Sequence, residues 1–363
     1  MSGLEEYQFL RKRHVRFLQR CVQVLPYSAV TFDTSRMTVL FFTLSGLDLL
    51  NALDEIDDAE RKHIIDWIYS LQILPEDKDQ MSRAGFRGGS SLASCRSSNK
   101  YLSNISSFDC GHITMTYTAL ASLVILGDDL SRVNREAVLA HVAALQCEDG
   151  SFFSTLGGSE NDMRFMYCAA TICYILQDFS AINIDAAVKY IVNSMSYEGA
   201  MGQGIYLESH GGSSYCAVAT LQLMGKLDSG LSNTQRQRLV RWLVSRLTEG
   251  GFQGRPNKRA DTCYTFWIGA SLKLLGCLDL LDISALRQFV LSTQDPITGG
   301  LAKYPDTPPD GLHTYLGISG LALLEQDELR TIDPALNITQ RALKHLHTLH
   351  KNNLQNSDPS IKC

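Results

Sequence analysis

No stretch of this sequence approaches the roughly 18 consecutive apolar residues of a membrane-crossing helix; "LASLVILG" is typical of its apolar runs. A secretory leader is not expected either, because "MSGLEEYQFLRKRHVRF" is too charged for one. Its basic "RKRHVR" reads as the solvated face of a first helix rather than as a nuclear signal. Positive charge is in deficit: 33 Lys and Arg against 38 Asp and Glu leave a net charge of −5. That balance argues against general binding to nucleic acid or to a membrane surface, so any anion site must be a local cluster of cations. None of the ten cysteines forms a CxxC pair, and several lie inside apolar helical runs. They read as reduced thiols used as small hydrophobes, which places the chain in the cytoplasm. The sequons at Asn104 and Asn337 mean little in that compartment. Cys363, with no aliphatic tetrapeptide after it, is not expected to carry a membrane anchor.

What the sequence does contain is a repeat. Gly-rich turns recur as "GFRGG" at 85, "DGSFF" at 149, "GAMGQG" at 199, "GGFQG" at 250 and "GGLAK" at 299. About ten residues after each, an apolar helix begins. Aligning His112, Asp162, His210, Asp261 and Asp310 puts Tyr117, Tyr167, Tyr215, Phe266 and Tyr315 in register, at steps of 50, 48, 51 and 49 residues. A rhythm held five times marks a repeat architecture. Amphipathic segments such as "TQRQRLVRWLVSRL" alternate with these helices, which are apolar nearly all round and rich in Ala, Gly, Ser and Cys. "SRMTVLFFTLSGLDLL" reads as a sixth buried helix. Sustained period-two alternation is absent, so the chain is expected to be all-α.

An open solenoid needs a solvated concave face, which the apolar helices lack. Closure into an α/α barrel satisfies both compositions, with apolar helices inside and amphipathic ones outside. We expect one barrel domain over residues 1–345 and a poorly ordered tail over 346–363. Parallel inner helices would bring several positive N-termini to one end, favourable for an anion.

Three groups of residues fall at those helix starts. Asp261 and Cys263, with His313 one unit later, fit a three-ligand zinc site whose fourth position is open. The plainer alternative is a capping Asp and a buried thiol. Arg255, Lys258, Tyr264 and His210 offer donors for a phosphate or diphosphate, or else they are an ordinary solvated loop. Arg164, Tyr167, Cys216, Phe266 and Trp267 fall on the inner helices, as core or as the wall of an apolar tunnel. Together they suggest an amphiphile with an anionic head beside a metal. A zinc-held thiolate would then attack the carbon that bears a diphosphate.

With these segments in view the sequence resembles the β subunits of protein prenyltransferases, above all the geranylgeranyltransferase type I branch. The resemblance runs from "RHVRFLQRCVQVLP" to about residue 345. It is carried by "GHITMTYTALASLVILGDDLSRVNREA", "SENDMRFMYC", "ESHGGSSYC", "GRPNKRADTCYTFW" and "DGLHTYLG". The resemblance implies an α/α barrel around an isoprenoid cavity, paired with a helical-repeat α subunit. It puts one zinc ion on Asp261, Cys263 and His313, and diphosphate on His210, Arg255, Lys258 and Tyr264. The isoprenoid wall falls on Arg164, Tyr167, Cys216 and Trp267. Thr38 stands where farnesyltransferases carry a Trp that shortens the cavity, so a geranylgeranyl chain is implied. Lys303 replaces their acidic Mg²⁺ ligand, so Mg²⁺ is not expected to be required. Phe42, Phe165 and Leu312 would form a peptide pocket for CaaX proteins ending in Leu or Phe, such as Rho/Rac-type small GTPases.

Farnesyl transfer is the nearest alternative, opposed by Thr38 and Lys303. The type II (Rab) enzymes resemble the sequence less across "SRMTVLFF" and "NDMRFMYC". Terpene cyclases share the barrel, but no DxDD-like acid motif is present. A non-catalytic, lipid-binding barrel subunit is the remaining reading.

Overall fold

Among the described residues, fourteen α-helices follow the repeat. In chain order they are α1 (Arg11–Gln23), α2 (Arg36–Leu49), α3 (Asp58–Ser70), α4 (Ile113–Leu126) and α5 (Arg135–Leu145). Next come α6 (Met163–Ile175), α7 (Ile184–Asn193), α8 (Gly211–Leu223), the four-residue α9 (Leu227–Gly230) and α10 (Asn233–Val244). The chain continues with α11 (Cys263–Leu274), α12 (Ile283–Ser292), α13 (Gly311–Leu323) and α14 (Gln340–Ser357). This computed structural model describes residues 7–23, 25, 27–92, 109–158, 160–248 and 250–357. Cys95, the sequon at Asn104 and Cys363 lie outside the described residues. Among those residues, strands are confined to two-residue ladders, and no helix is long and apolar enough to cross a membrane.

The two compositions sort as a barrel requires. Helices α2, α4, α6, α8, α11 and α13 pack each on the next, and α13 packs on α2 to close the ring. These inner helices are buried almost throughout; in α4 only Thr114 is not. The amphipathic α7 and α12 bury one stripe each, such as Ala187, Tyr190 and Ile191 in α7. The all-α barrel expected from composition is the fold observed.

The register positions of the repeat turn out to be helix N-caps, except that Asp261 stands one residue before the N-cap Thr262. His112 Nδ1 accepts the Thr114 N–H at 3.1 Å, and an Asp162 oxygen accepts the Arg164 N–H at 2.9 Å. His210 Nδ1 accepts Gly212 and Ser213, Asp261 accepts Cys263, and Asp310 accepts His313. Each satisfies N–H groups that a helix start leaves orphaned, worth about 1 kcal/mol.

A second bond ties each unit to its neighbour. The N–H groups of Met37, Ile113, Met163, Gly211 and Thr262, at the starts of successive inner helices, donate to carbonyls in the turns of the following unit. Their acceptors are Gly88, Ser154, Gln203, Gly254 and Lys303, at 2.8–3.1 Å. The Gly-rich turns therefore pin one helix start to the next, and the starts gather at one mouth.

Five residues inward from each cap sits an aromatic ring. Phe41 packs on Tyr117 (5.4 Å between centroids) and on Tyr315 (5.5 Å). Tyr117 packs on Tyr167, Tyr167 on Tyr215 and Tyr215 on Phe266, at 5.2–5.5 Å. These edge-to-face and tilted contacts bind the six helices at one level.

The opposite end is closed by the last helix. Arg341 of α14 pairs with the buried Asp48 at 2.8 Å and donates to the Ile125 carbonyl at 2.6 Å. His345 meets the Asp128 carbonyl at 2.9 Å, and His350 meets the Ile175 carbonyl at 3.0 Å. Basic side chains thus meet carbonyls at the C-terminal ends of α4 and α6, where the helix dipole favours them. The boundary expected at 345 falls inside this helix, which runs to Ser357, so the tail does not start there. Its anchoring residues alternate with polar ones in "QRALKHLHTLHKNN", which hides a packed helix behind a hydrophilic composition.

Candidate metal and substrate site at the barrel mouth

Asp261, Cys263 and His313 meet where α11 and α13 begin. Their ligand atoms all lie within 4.8 Å of one another. Cys263 is the first residue of α11, and the Asp261 carboxylate folds back to cap it at 3.0 Å. His313 Nε2 approaches Asp261 Oδ1 at 3.4 Å, while its Nδ1 is held by Asp310 at 2.6 Å. A carboxylate on the far nitrogen fixes the tautomer and aims the near one, as at many zinc centres. One thiol, one imidazole and one carboxylate form a donor set that suits zinc, and three protein ligands leave a position open.

The electrostatics of the three are coupled. Burial drives the Cys263 thiol well above its usual range, and the adjacent Asp261 adds to the shift. Burial would lower His313, but its bonds to Asp261 and Asp310 prevail and raise it to about 9. Against burial, hydrogen bonds from His313 and Cys263 hold the Asp261 carboxyl below its usual range. Without a metal the cluster therefore stores protons that a divalent cation would displace. Lys303 Nζ stands 3.7 Å from Asp261 Oδ2. The Thr262 N–H donates to the Lys303 carbonyl at 3.1 Å, and its hydroxyl donates to the Ala302 carbonyl at 2.7 Å, so the lysine is fixed beside α11.

Next to this cluster, His210 Nε2 and the Tyr264 hydroxyl are 2.9 Å apart. Because His210 Nδ1 accepts backbone N–H groups, the ring proton resides on Nε2 and is donated to Tyr264. Burial and the nearby Arg255 hold His210 below its usual range, which keeps it neutral. Tyr264 is then left with its own proton to offer a ligand. Its ring lies against Gly254, where a Cβ would fall 2.0 Å from Tyr264 Cζ, so only glycine fits. Arg255 is paired with Glu208 at 2.7 Å, and Lys258 is exposed on the adjoining turn.

Below the mouth lies a cavity of about 260 Å³. Thr38, Arg164, Tyr167, Cys216, Trp267, Phe42 and Leu312, singled out from the sequence, all line it, together with His210. Arg164 does so from the rim: it is half-exposed and bound to Asp162 at 2.6 Å. Phe165 is placed otherwise, buried under the Arg164 guanidinium and edge-on to His112 at 6.3 Å, outside the lining. Thr38 donates to Met115 Sδ at 3.5 Å. Sequence reasoning missed Asp310 as the partner of His313, although the Asp-x-x-His spacing at a helix start carries that signal. It also missed Asp162 as the local partner of Arg164, and Glu208, which meets Arg255 only through the fold.

A family model described as the prenyltransferase alpha-alpha toroid domain matches residues 9–338. The geranylgeranyl transferase type-1 subunit beta of Arabidopsis thaliana is 38% identical over 341 residues, covering 91% of this chain and 89% of that protein. The protein of the same name from Dictyostelium discoideum is 38% identical over 335 residues, covering 90% and 94%. Among solved structures, Candida albicans protein geranylgeranyltransferase-I complexed with GGPP matches with a TM-score of 0.81 at 25% identity, covering 94% of this chain and 99% of that one. A chain similar to these over nearly its whole length belongs to the prenyltransferase α-α toroid family, in the branch of geranylgeranyl transferase type-1 β subunits.

Proposed function

We propose that this chain is the catalytic β subunit of a zinc-dependent protein geranylgeranyltransferase type I. It transfers geranylgeranyl from its diphosphate to the cysteine of a C-terminal CaaX motif ending mainly in Leu or Phe. The observation that carries this reading is the Asp261–Cys263–His313 cluster at the mouth of a cavity walled by aromatics. Bound by these three residues, zinc would hold the acceptor cysteine as a thiolate at neutral pH.

The chain's own residues do the rest. Arg164, Tyr167, Cys216 and Trp267 enclose the prenyl chain and keep water from its reactive end. His210, Tyr264, Arg255 and Lys258 receive the diphosphate, which must replace Glu208 as the partner of Arg255. Lys303 stands beside Asp261, and with that carboxylate committed to a cation its ammonium would be free for the leaving group. A cation at this position takes the place of Mg²⁺, so the reaction does not require it. As sulfur bonds to C1 of the isoprenoid, the C1–O bond breaks and the diphosphate departs with the electron pair. Positive groups aimed at that developing charge supply the main stabilisation.

Thr38 leaves room for the fourth isoprene unit, and Phe42 and Leu312 offer apolar contact to the peptide's last residue. The enzyme works in the cytoplasm as a heterodimer with a prenyltransferase α subunit, on CaaX proteins such as Rho/Rac-type GTPases. Co-expression with an α subunit, then assay with Leu-ending and Met-ending CaaX peptides, tests the reading. We expect geranylgeranyl to be transferred in preference to farnesyl, and to the Leu-ending peptide. Equal use of both prenyl donors, or no transfer, would overturn it.

A further inference from the structure

Two arginines at the mouth are paired with carboxylates, and the two pairs are built differently. Arg164 takes both oxygens of Asp162, at 2.6–3.1 Å, from a carboxylate that also caps α6 and is only 13% exposed. Arg255 gives one nitrogen, Nη1, to one oxygen of Glu208 at 2.7 Å, and the two side chains are 41% and 52% exposed. The first pair is fixed on both sides. The second opens at little cost, because water and salt screen an ion pair this exposed.

Although the pair is loose, the main chain that presents it is not. Ser209, next to Glu208, is fully buried, and its hydroxyl donates to the Ala200 carbonyl at 2.9 Å. The His210 N–H donates to the Met201 carbonyl at 3.0 Å. The Gly211 N–H donates at 2.8 Å to the carbonyl of Gly254, the residue before Arg255. Glu208 is therefore held beside Arg255 by backbone register, two residues before His210. A carboxylate fixed against an anion-binding cation repels the anion and competes with it for the guanidinium. What it offers in return is a partner for Arg255 when the anion leaves.

We infer that Glu208 is an internal competitor for the diphosphate. It holds Arg255 in the empty site, yields it when the prenyl donor binds, and takes it back as inorganic diphosphate departs. The competition lowers affinity for bound and departing diphosphate alike, which limits inhibition by that product. This inference rests on the prenyl-transfer reading of the mouth.

The test uses the heterodimer without peptide and two ligands: geranylgeranyl diphosphate, and geranylgeraniol, which has the same chain and no charge. The readout is the ratio of their dissociation constants, so a general loss of folding or of cavity shape cancels. Glu208→Gln keeps the shape and removes the charge. We expect it to shift the ratio about three- to tenfold in favour of the diphosphate. Arg255→Ala should shift it about tenfold or more the other way. In the Arg255→Ala background, Glu208→Gln should change the ratio by less than about twofold, because the competitor then has nothing to hold. Three outcomes would overturn the inference: an unchanged ratio in Glu208→Gln, a shift toward the alcohol, or the same gain with and without Arg255. The second would make Glu208 a positioning residue for Arg255, and the third would make its effect plain charge repulsion. If Arg255→Ala leaves the ratio unmoved, the diphosphate reading of this loop falls, and the competitor with it.

Discussion

At the start of α6, Asp162 caps the helix and gives both its oxygens to Arg164, two residues in. At the start of α11, Asp261 occupies the same register and accepts the N–H two residues on, although Thr262 intervenes as the first half-helical residue, and two residues in stands Cys263. A thiol does not neutralise the carboxylate, so Asp261 faces His313 and Lys303 instead. The scaffold is shared: a capping side chain, a first N–H pinned to the next turn, an aromatic ring one level down. The chemistry differs because one side chain differs at the second position. At α6 a guanidinium binds the carboxylate, whereas at α11 a thiol leaves it free to share a cation with an imidazole from the next unit. At α11 the side chain two residues beyond the register position decides whether the carboxylate can serve a metal.

The largest effect should come from breaking the α11 side of that comparison. Cys263→Ala removes the soft ligand, and prenyl transfer should fall below detection while the heterodimer still assembles; retained turnover would contradict the assignment. Next is Lys303→Asp, which replaces a cation aimed at the leaving group. We expect about a hundredfold loss of rate without Mg²⁺ and recovery when it is added. A rate flat against Mg²⁺ would count against the role given to Lys303.

Smaller again is Asp310→Ala, which frees His313 Nδ1. Zinc affinity should drop about 10–100-fold, read by competition with a chelator. The same titration at several pH values should show affinity declining as pH falls below about 9, where His313 gains its proton. The sign follows from the raised value, because protonated His313 competes with the metal. The smallest effect should come from the control position. Asp162→Ala loses a cap of the same kind and should cost about 1 kcal/mol of stability, with zinc affinity untouched.

The barrel and the location of the site were legible in the sequence because both follow from a pattern. Inner and outer helices differ in composition over their whole length, and the repeat fixes which residues share a level. Tyr117, Tyr167, Tyr215, Phe266 and Tyr315 were aligned by spacing alone, and four of the five touch in sequence around the ring. Pairings set by tertiary approach were not legible. Glu208 lies 47 residues from Arg255, and nothing in either segment announces the other. Phe165 follows a lining residue by one position, and a one-residue step on a helix turns a side chain by about 100°. That turn carries it from the cavity toward His112. The closing helix was missed because basic residues share its binding face with the buried Ala342 and Leu346, meeting carbonyls instead of water.

The central claim is that a shared cap becomes a metal site only where a thiol follows it. The direct measurement is zinc content of three purified heterodimers: wild type, Asp162→Ala and Cys263→Ala. The account predicts one zinc per β subunit in the first two and none in the third. A wild-type heterodimer without zinc, or a Cys263→Ala heterodimer that keeps its full complement, would contradict it.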